Sequence, residues 1–536
     1  MTRRVPTNIG SHPQLLLDDE FVERMTGLHR TMHGPVKHPR NPLIVPEQPF
    51  ERRYKFHFGW GVGAVIRDPE AQLFRAYYPV TQKHLHYAES EDGITWRKPA
   101  LGRAEYAGSR DNNILMPDCH APSVIHHPDM PGDCPYRMFA VKQGVGPAVF
   151  RSRDGLNWSD PVPVKTPPGG DDACLTYDHH AHRFILTFKP RAPIGKTIVN
   201  PLTAEPWEIP IRHLVVSTSD DDMQSWSPWQ RALVPDEVDQ QSVSERYPPI
   251  FVEGFLYPWR MKPEFEAAHE YARRTGYLDR LTVAPQTGYH HMDFMNMVVI
   301  PYPGLYVGLL QVLNATAHTF DFGAGGVPRP DGGPGSDGTM EIQLVCSRDL
   351  VHWQRLGDRQ PFLPLGEVGA WDQSMVTPFT SNGILRDGKH QLYYGGLRHS
   401  HAHMSRWNKP GDWPGERGGI GLATLRRDGF VSLDAGPEGG QFTTPLLRFT
   451  GENLVVNADA RNGEIRVEVL DEDGTVVNGY SRNACRPVCG DDTDHVIHWQ
   501  GTNGLGALQG RPISLRVTLR NAQLYSFFSG QRPGTW

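Results

Sequence analysis

The stretch Ser152-Arg153-Asp154-Gly155-Leu156-Asn157-Trp158 recurs in variants along most of the chain, and that recurrence constrains the fold more than any other feature. SEDGITW (Ser90 to Trp96), the expanded STSDDDMQSW (Ser217 to Trp226) and SRDLVHW (Ser347 to Trp353) are near-copies, and LRRDGF (Leu425 to Phe430) is a relative without the tryptophan. Each copy follows a short apolar or aromatic run and precedes a Pro- or Gly-rich stretch. Asp and Gly supply turn chemistry, so the pattern predicts a strand, a tight turn and a second strand, with the Trp packing back on its own hairpin. The tryptophans at 96, 158, 226 and 353 are spaced by 62, 68 and 127 residues, so the last interval holds an insertion. Strand pairs are legible between the motifs, for example GVGAVI with LFRAYYPV and FMNMVVI with LYVGLLQVL. Four strands per unit and five units predict an all-β chain built on a five-bladed β-propeller, in which radial repetition leaves few exposed edges.

A chain of 536 residues exceeds one ordinary core, and its 55 glycines, 47 prolines and 13 tryptophans suit many short strands. The propeller is expected over 1–437. It is interrupted by a helical and loop insertion at about 240–290, with PEFEAAHEYARRTGYLDRL (Pro263 to Leu281) as its helix, and by a Gly/Pro-rich loop at about 321–338. From about Gly439 the texture changes to evenly spaced strand-like runs such as EIRVEVLD and ISLRVTLR, which predict a β-sandwich over 438–536. The N-terminal LLLDDEFVERM is expected to complete the outer edge of the last blade or to seal the interface between the two domains.

The formal net charge of -6, without a basic stripe, argues against a nucleic-acid partner. Leu15-Leu16-Leu17 is too short for the apolar core of a signal peptide, and no run reaches membrane-spanning length. The expectation is a soluble, cytoplasmic protein with no membrane partner, a homo-oligomer being left open. Six cysteines without zinc-type spacing read as buried thiols, with Cys485 and Cys489 near enough in sequence to pair.

Five four-stranded units followed by a sandwich resemble the glycoside hydrolases of families 32 and 68, and the propeller alone resembles families 43, 62, 117 and 130. The resemblance implies three carboxylates on the innermost strands of the first, third and fourth blades, serving as nucleophile or base, transition-state stabiliser and general acid. The WMNDPNG signature of family 32 is absent, and Arg67-Asp68-Pro69 lies between the first two strands of the first unit, where it reads as a turn. The resemblance implies a carbohydrate-active enzyme, an exo-acting glycosidase whose partner is an oligosaccharide or glycoside, without a cofactor.

Glycoside hydrolysis needs two carboxyl groups flanking the scissile bond, one of them kept protonated by its surroundings. In a propeller the starts of the innermost strands line the channel. The candidates there are Glu51, His57 and Trp60 in the first unit, and Asp118 with His120 in the second. Asp171 and Asp172 stand in the third, and only one of the two can face the channel because side chains alternate along a strand. In the fourth unit Glu245 in VSERYPPIF and Asp293 in GYHHMDFMNM compete for the inner strand, with His291 beside the latter; in the fifth, Trp371 and Asp372 open the strand. Asp172, Asp293, Glu245, Asp372 and Glu51 are the expected catalytic set. His57, Trp60, Asp171, His291, Trp371 and His399 are the expected substrate contacts, and no metal is assigned. His399, His401 and His403 would share one face of a strand, which keeps a divalent metal and a histidine-based uronate lyase as alternatives. A glycoside phosphorylase and a non-catalytic sugar-binding propeller are the other two.

Overall fold

The computed structural model describes residues 5–48, 51, 63–80, 84–167, 173–199, 206–246, 249–252, 255–258, 291–320, 334–379, 384–398, 401, 418–502 and 504–532. Within them the regular structure is almost entirely β-strand, as the turn spacing predicts. Antiparallel sheets follow one another in sequence order. The first comprises Ala64–Asp68, Leu73–Val80, His84–Ser90 and Ile114–Pro117; the second Cys119–His126, Tyr136–Lys142, Gly146–Ser152 and Val162–Pro163; the third Ala173–Asp178, Arg183–Phe188, Leu214–Ser219 and Gln230–Leu233. His291–Tyr302, Leu305–Phe320 and Pro334–Ser347 form the body of a fourth sheet. Met375–Pro378, Lys389–Leu397 and Gly418–Arg426 form a fifth, joined to the fourth by a single parallel pairing of Met340 with Met375.

Apolar faces bury these sheets against one another in turn. Tyr77 and Tyr87 meet Tyr136 and Met138 between the first two sheets, and Ile125 and Phe139 meet Leu175 and Phe184 between the next two. Ile185 and Val216 meet Phe294 and Val312, and Val298 and Val307 meet Val376 and Tyr394. Ile420 and Leu422 of the fifth sheet pack back on Val65 and Ala76 of the first, so the succession closes into a ring.

The repeated motif explains the regularity of that closure. In each of its four full copies a Ser hydroxyl and an Asp carboxylate accept turn amides: Ser152 Oγ from Gly155 N and Asp154 Oδ1 from Leu156 N, both at 2.9 Å, and likewise Ser90 with Asp92, Ser219 with Asp221 and Ser347 with Asp349. Trp96 and Trp353 donate to Gly93 O and Leu350 O of their own turns. The turns also reach across sheets. Tyr393 of the fifth donates to Gly93 O at 2.8 Å, Tyr77 of the first to Gly155 O at 3.0 Å, and Tyr302 of the fourth to Asp428 at 3.0 Å, while Arg137 of the second pairs with Asp222 at 2.8 Å. The motif is a latch between neighbouring sheets as well as a local staple. Asp68, the Asp of the RDP triplet, caps Glu70 N and Ala71 N at the end of its strand, as a turn residue does.

The N-terminal segment serves two structures. Leu15 and Leu17 enter the cluster between the fourth and fifth sheets while Leu16, pointing the other way, enters the C-terminal core. Arg24–Thr26 pairs with Gly440–Thr443, so the edge of the fifth sheet is completed instead by a strand further on, Val36–Lys37 against Ala423 and Thr424. The C-terminal residues and the N-terminal strands Gln14–Leu15, Arg24–Thr26 and His29–Met32 together build one nine-stranded sheet, in which the 17-residue strand Leu454–Leu470 pairs with Ala522–Ser529 through its first half and with Ser514–Arg520 through its second. That change of partner curls the sheet around a core of Phe449, Val467, Trp499 and Phe527. All six cysteines are free thiols, Cys485 and Cys489 included; Cys119, Cys174, Cys346 and Cys485 are buried as expected, whereas Cys134 is half-buried and Cys489 exposed. No helix among the described residues is long and apolar enough to cross a membrane.

Candidate functional site

Antiparallel order gives the ring two unlike ends. The latch turns join the third strand of a sheet to its outer edge, and with the turns after each innermost strand they occupy one end. The starts of the innermost strands, the turns joining second to third strands, and the connections between sheets occupy the other. Two of those turns are lengthened there: Leu305–Phe320 and Pro334–Ser347 continue pairing past Ala315 and Gly338, where the innermost strand of their sheet begins, and Arg191–Val199 with Pro206–Arg212 prolongs the third sheet in the same direction.

Asp293 lies three residues into this end of the fourth sheet and is fully buried. Its Oδ1 accepts the Arg212 amide at 2.8 Å, its Oδ2 is 2.7 Å from the Arg212 guanidinium, and His291 Nε2 stands 3.7 Å from Oδ1. Burial works to raise this carboxyl's pKa, but the charge and hydrogen bond of His291 and the two contacts from Arg212 outweigh it and hold the group below the usual carboxylate range. It is therefore an ionised carboxylate at neutral pH, suited to act as nucleophile or base and unsuited to act as acid.

Asp372 precedes the innermost strand of the fifth sheet. One oxygen accepts both Lys37 Nζ at 2.6 Å and the Tyr394 hydroxyl at 3.0 Å. Trp371 stacks on the Tyr394 ring at 5.5 Å, and so packs as well as lines. Gly396 permits this approach, since a Cβ there would come 2.7 Å from Asp372 Cβ. Burial and then the Asp372 charge push the Tyr394 phenol far up.

Glu51 is buried against the first sheet. It accepts Lys98 Nζ at 2.7 Å, the Tyr78 hydroxyl at 3.1 Å and the amides of Glu47 and Gln48 at 2.9 and 3.1 Å, so its oxygens are committed to the protein. Glu245 differs from expectation. It lies on the helix Glu237–Arg246, exposed, beside Gln241 at 2.6 Å, and the inner strand is the one carrying Asp293. What starts that helix is a reciprocal cap: Asp236 Oδ1 accepts Asp239 N at 3.0 Å and Asp239 Oδ2 accepts Asp236 N at 3.1 Å. Asp118 is exposed in a left-handed conformation, and His120 is half-buried. Asp171, Asp172, His57, Trp60, His399, His403 and the expected helix at 263–281 lie outside the described residues; His401 donates its amide to Gly338 O at 3.0 Å. Among the described residues no group of three or more His, Cys, Asp or Glu is placed to hold a metal ion.

The fourth sheet carries further polar residues that the strand pattern alone does not single out. Asn314, Thr339, Glu341 and Gln343 are all buried, and Glu341 pairs with Arg246 of the helix at 2.5 Å. The same helix is tied down by Asp239 to Arg355 at 2.8 Å and by Asp236 to Arg359 at 2.5 Å. Arg212, Asn314 and Glu341 sit inside runs that read as plain strand. The available signal is a Gln, an Asn and a Thr inside the otherwise apolar LYVGLLQVLNATAHTF.

No family model and no curated protein matches the chain. Among solved structures it is similar to a glycoside hydrolase family 43 arabinoxylan arabinofuranohydrolase from Bacillus subtilis in complex with cellotetraose, at 13% identity over 93% of this chain and 99% of that one, with a TM-score of 0.34. It is also similar to a β-1,2-mannobiose phosphorylase from Listeria innocua, at 11% identity over 73% and 96% with a TM-score of 0.38. An N-acetylgalactosamine deacetylase from F. plautii, in complex with blood group B trisaccharide, aligns at 14% identity over 79% and 95% with a TM-score of 0.37. Likeness of this degree assigns no activity to the chain.

Proposed function

We propose that the ring of sheets is a five-bladed propeller over 1–437, with 438–536 as a second domain to which the N-terminal strands are lent, and that the chain is an exo-acting glycoside hydrolase. The observation that carries this reading is Asp293: a buried carboxylate at the start of an innermost strand, held ionised by Arg212 and His291. Asp293 acts as nucleophile or base, and Asp172, immediately before the innermost strand that starts at Ala173 of the adjacent sheet, acts as the acid. Asp372 supplies a second negative charge that favours an oxocarbenium-like transition state. The lengthened turns of the third and fourth sheets wall this end, which suits a pocket that admits a chain terminus over an open cleft.

A lyase reading has one supporting contact, the approach of His291 to Asp293, which would orient the imidazole as a base. The experiment is turnover of a panel of aryl glycosides, of uronate oligomers monitored for ultraviolet absorbance, and of glycosides with added phosphate. Release of the aryl group that is independent of phosphate and abolished in both Asp293→Asn and Asp172→Asn supports the hydrolase. Full activity in both variants refutes the site.

A further inference from the structure

Histidines from three separate segments meet at the latch end of the second and third sheets. His127 follows the innermost strand of the second sheet, and His179 and His180 follow that of the third. His12 lies on the N-terminal segment, between Thr7–Ile9 and Gln14–Leu15, which pair with the C-terminal strands Leu447–Phe449 and Ala522–Ser529. The rings form an unbroken row: His12 to His180 at 5.0 Å, His180 to His179 at 3.8 Å and His179 to His127 at 4.9 Å between centroids. His127 Nδ1 accepts the Asp129 amide at 3.1 Å, which only an unprotonated nitrogen can do.

The carboxylates in reach cannot neutralise a charged row. Asp178 accepts the His180 and Ala181 amides at 3.0 and 3.1 Å and the Tyr306 hydroxyl at 2.8 Å, and Asp129, 3.9 Å from His127, is mostly in water. The other charged or titratable groups around the row are Tyr177, whose ring lies 5.5 Å from that of His127, the exposed His182, His126, which faces Asp68 and Arg75, and Arg183, which pairs with Asp220. Burial first and the neighbouring imidazole next push His179 and His180 down to about 4, and burial lowers His127 and His12 as well. The N-terminal segment has a second anchor of opposite character. Both oxygens of Asp18 meet the guanidinium of Arg348, in the latch turn of the fourth sheet, at 2.9 Å, and that guanidinium lies over the Phe21 ring at 5.3 Å. Burial works to raise Asp18, but the Arg348 contacts outweigh it and hold the carboxyl below its usual range.

We propose that the histidine row is an acid-released joint between the ring of sheets and the N-terminal segment: when protonated, the imidazoles repel one another and His12 parts from the third sheet, while Asp18 keeps the segment on the fourth. A separated imidazole takes its proton near 6.5 and the packed ones only near 4, so the joint is closed above 6.5 and weakens as pH falls through that window. None of these residues belongs to the candidate catalytic set, so the inference stands whether or not the glycosidase reading does.

The test is hydroxyl-radical footprinting of the full chain at pH 7.5 and pH 5.0, below the melting transition at both. The reporters are Tyr177, 1% exposed beside His127, and Phe21, 3% exposed beside the second anchor, with oxidation normalised to the uncharged, exposed Val36. In wild type, oxidation of Tyr177 rises about threefold at pH 5.0, modest because His179 and His180 keep partial contact with water, and that of Phe21 does not change. His179→Gln/His180→Gln removes the rise, and His12→Gln at least halves it. His180→Arg fixes the charge and gives at pH 7.5 the footprint that wild type shows at pH 5.0. The inference is overturned if Tyr177 oxidation in wild type is the same at both pH values, if Phe21 rises with it, if either Gln variant keeps the full rise, or if His180→Arg leaves Tyr177 protected.

Discussion

The two ends of the ring use polar residues in opposite ways. At the latch end, Ser152, Asp154 and their counterparts meet backbone amides a few residues away, the carboxylates sit at the rim, and the same solution is repeated sheet after sheet. Asp92 is held at about 2: burial there opposes ionisation, but the amides of Thr95 and Ile94 prevail. At the other end Asp293, Glu341 and Asp372 are buried, and each is matched to a cation from a distant part of the chain: Arg212, Arg246 and Lys37. Local satisfaction can be repeated because it depends only on a seven-residue turn. Long-range pairing is particular to each sheet, so variation and function collect where it is used.

That contrast can be broken experimentally, and the largest effect belongs to the buried end. Asp293→Asn is expected to lower kcat on an aryl glycoside on the order of 10³-fold, measured well below the melting transition. It also leaves Arg212 without its counter-charge, so the variant melts lower by about 3 kcal/mol of stability. Substitution at the latch end should separate the two effects. Gly155 has φ +71°, and a Cβ there would come 2.8 Å from the Tyr136 ring. Gly155→Ala is expected to cost about 2 kcal/mol in a denaturant titration with KM unchanged; a changed KM would show that the two ends communicate.

Acid should strain the latch end next. His390, fully buried, meets the Tyr302 hydroxyl at 3.3 Å and Asp428 N at 3.2 Å, among Asp428, Arg427 and Arg532. Burial pushes its imidazole down from 6.5 to about 4, against the pull of Asp428 and with the help of the two arginines. Between those values the unfolded chain binds a proton that the folded one refuses, so stability falls as pH drops from 6.5 and levels off below about 4. His390→Gln should lessen the fall in melting temperature over that window, leaving the part that the buried His86 and the half-buried His179 and His180 contribute in the same direction. The smallest effect is Tyr393→Phe, which removes the donor to Gly93 O and should cost about 1 kcal/mol without touching activity.

What is legible in the residues follows the same division. SxDGxxW announces its turns, and through them the strands, because a turn is chosen by its own side chains. Asp293 and Asp372 can be found because strand starts follow from the turns. Arg212, Lys37 and Glu341 cannot, since each acquires its meaning only from a residue 81, 335 and 95 positions away respectively. Glu245 reads as strand only while the cap made by Asp236 and Asp239 is ignored, and with that cap in place the segment is a helix.

The strand Val36–Lys37 bears on the order of folding. It is made far upstream of the sheet it completes, so that edge waits until Gly418–Arg426 has been synthesised and brought back, a loop closure spanning nearly four hundred residues. Lys37 on that strand is also the counter-ion of Asp372. Ring closure and the charge balance of the fifth sheet are therefore one kinetic event, and a nascent or nicked chain that has folded its sheets but not recruited this strand carries a buried acid without its base.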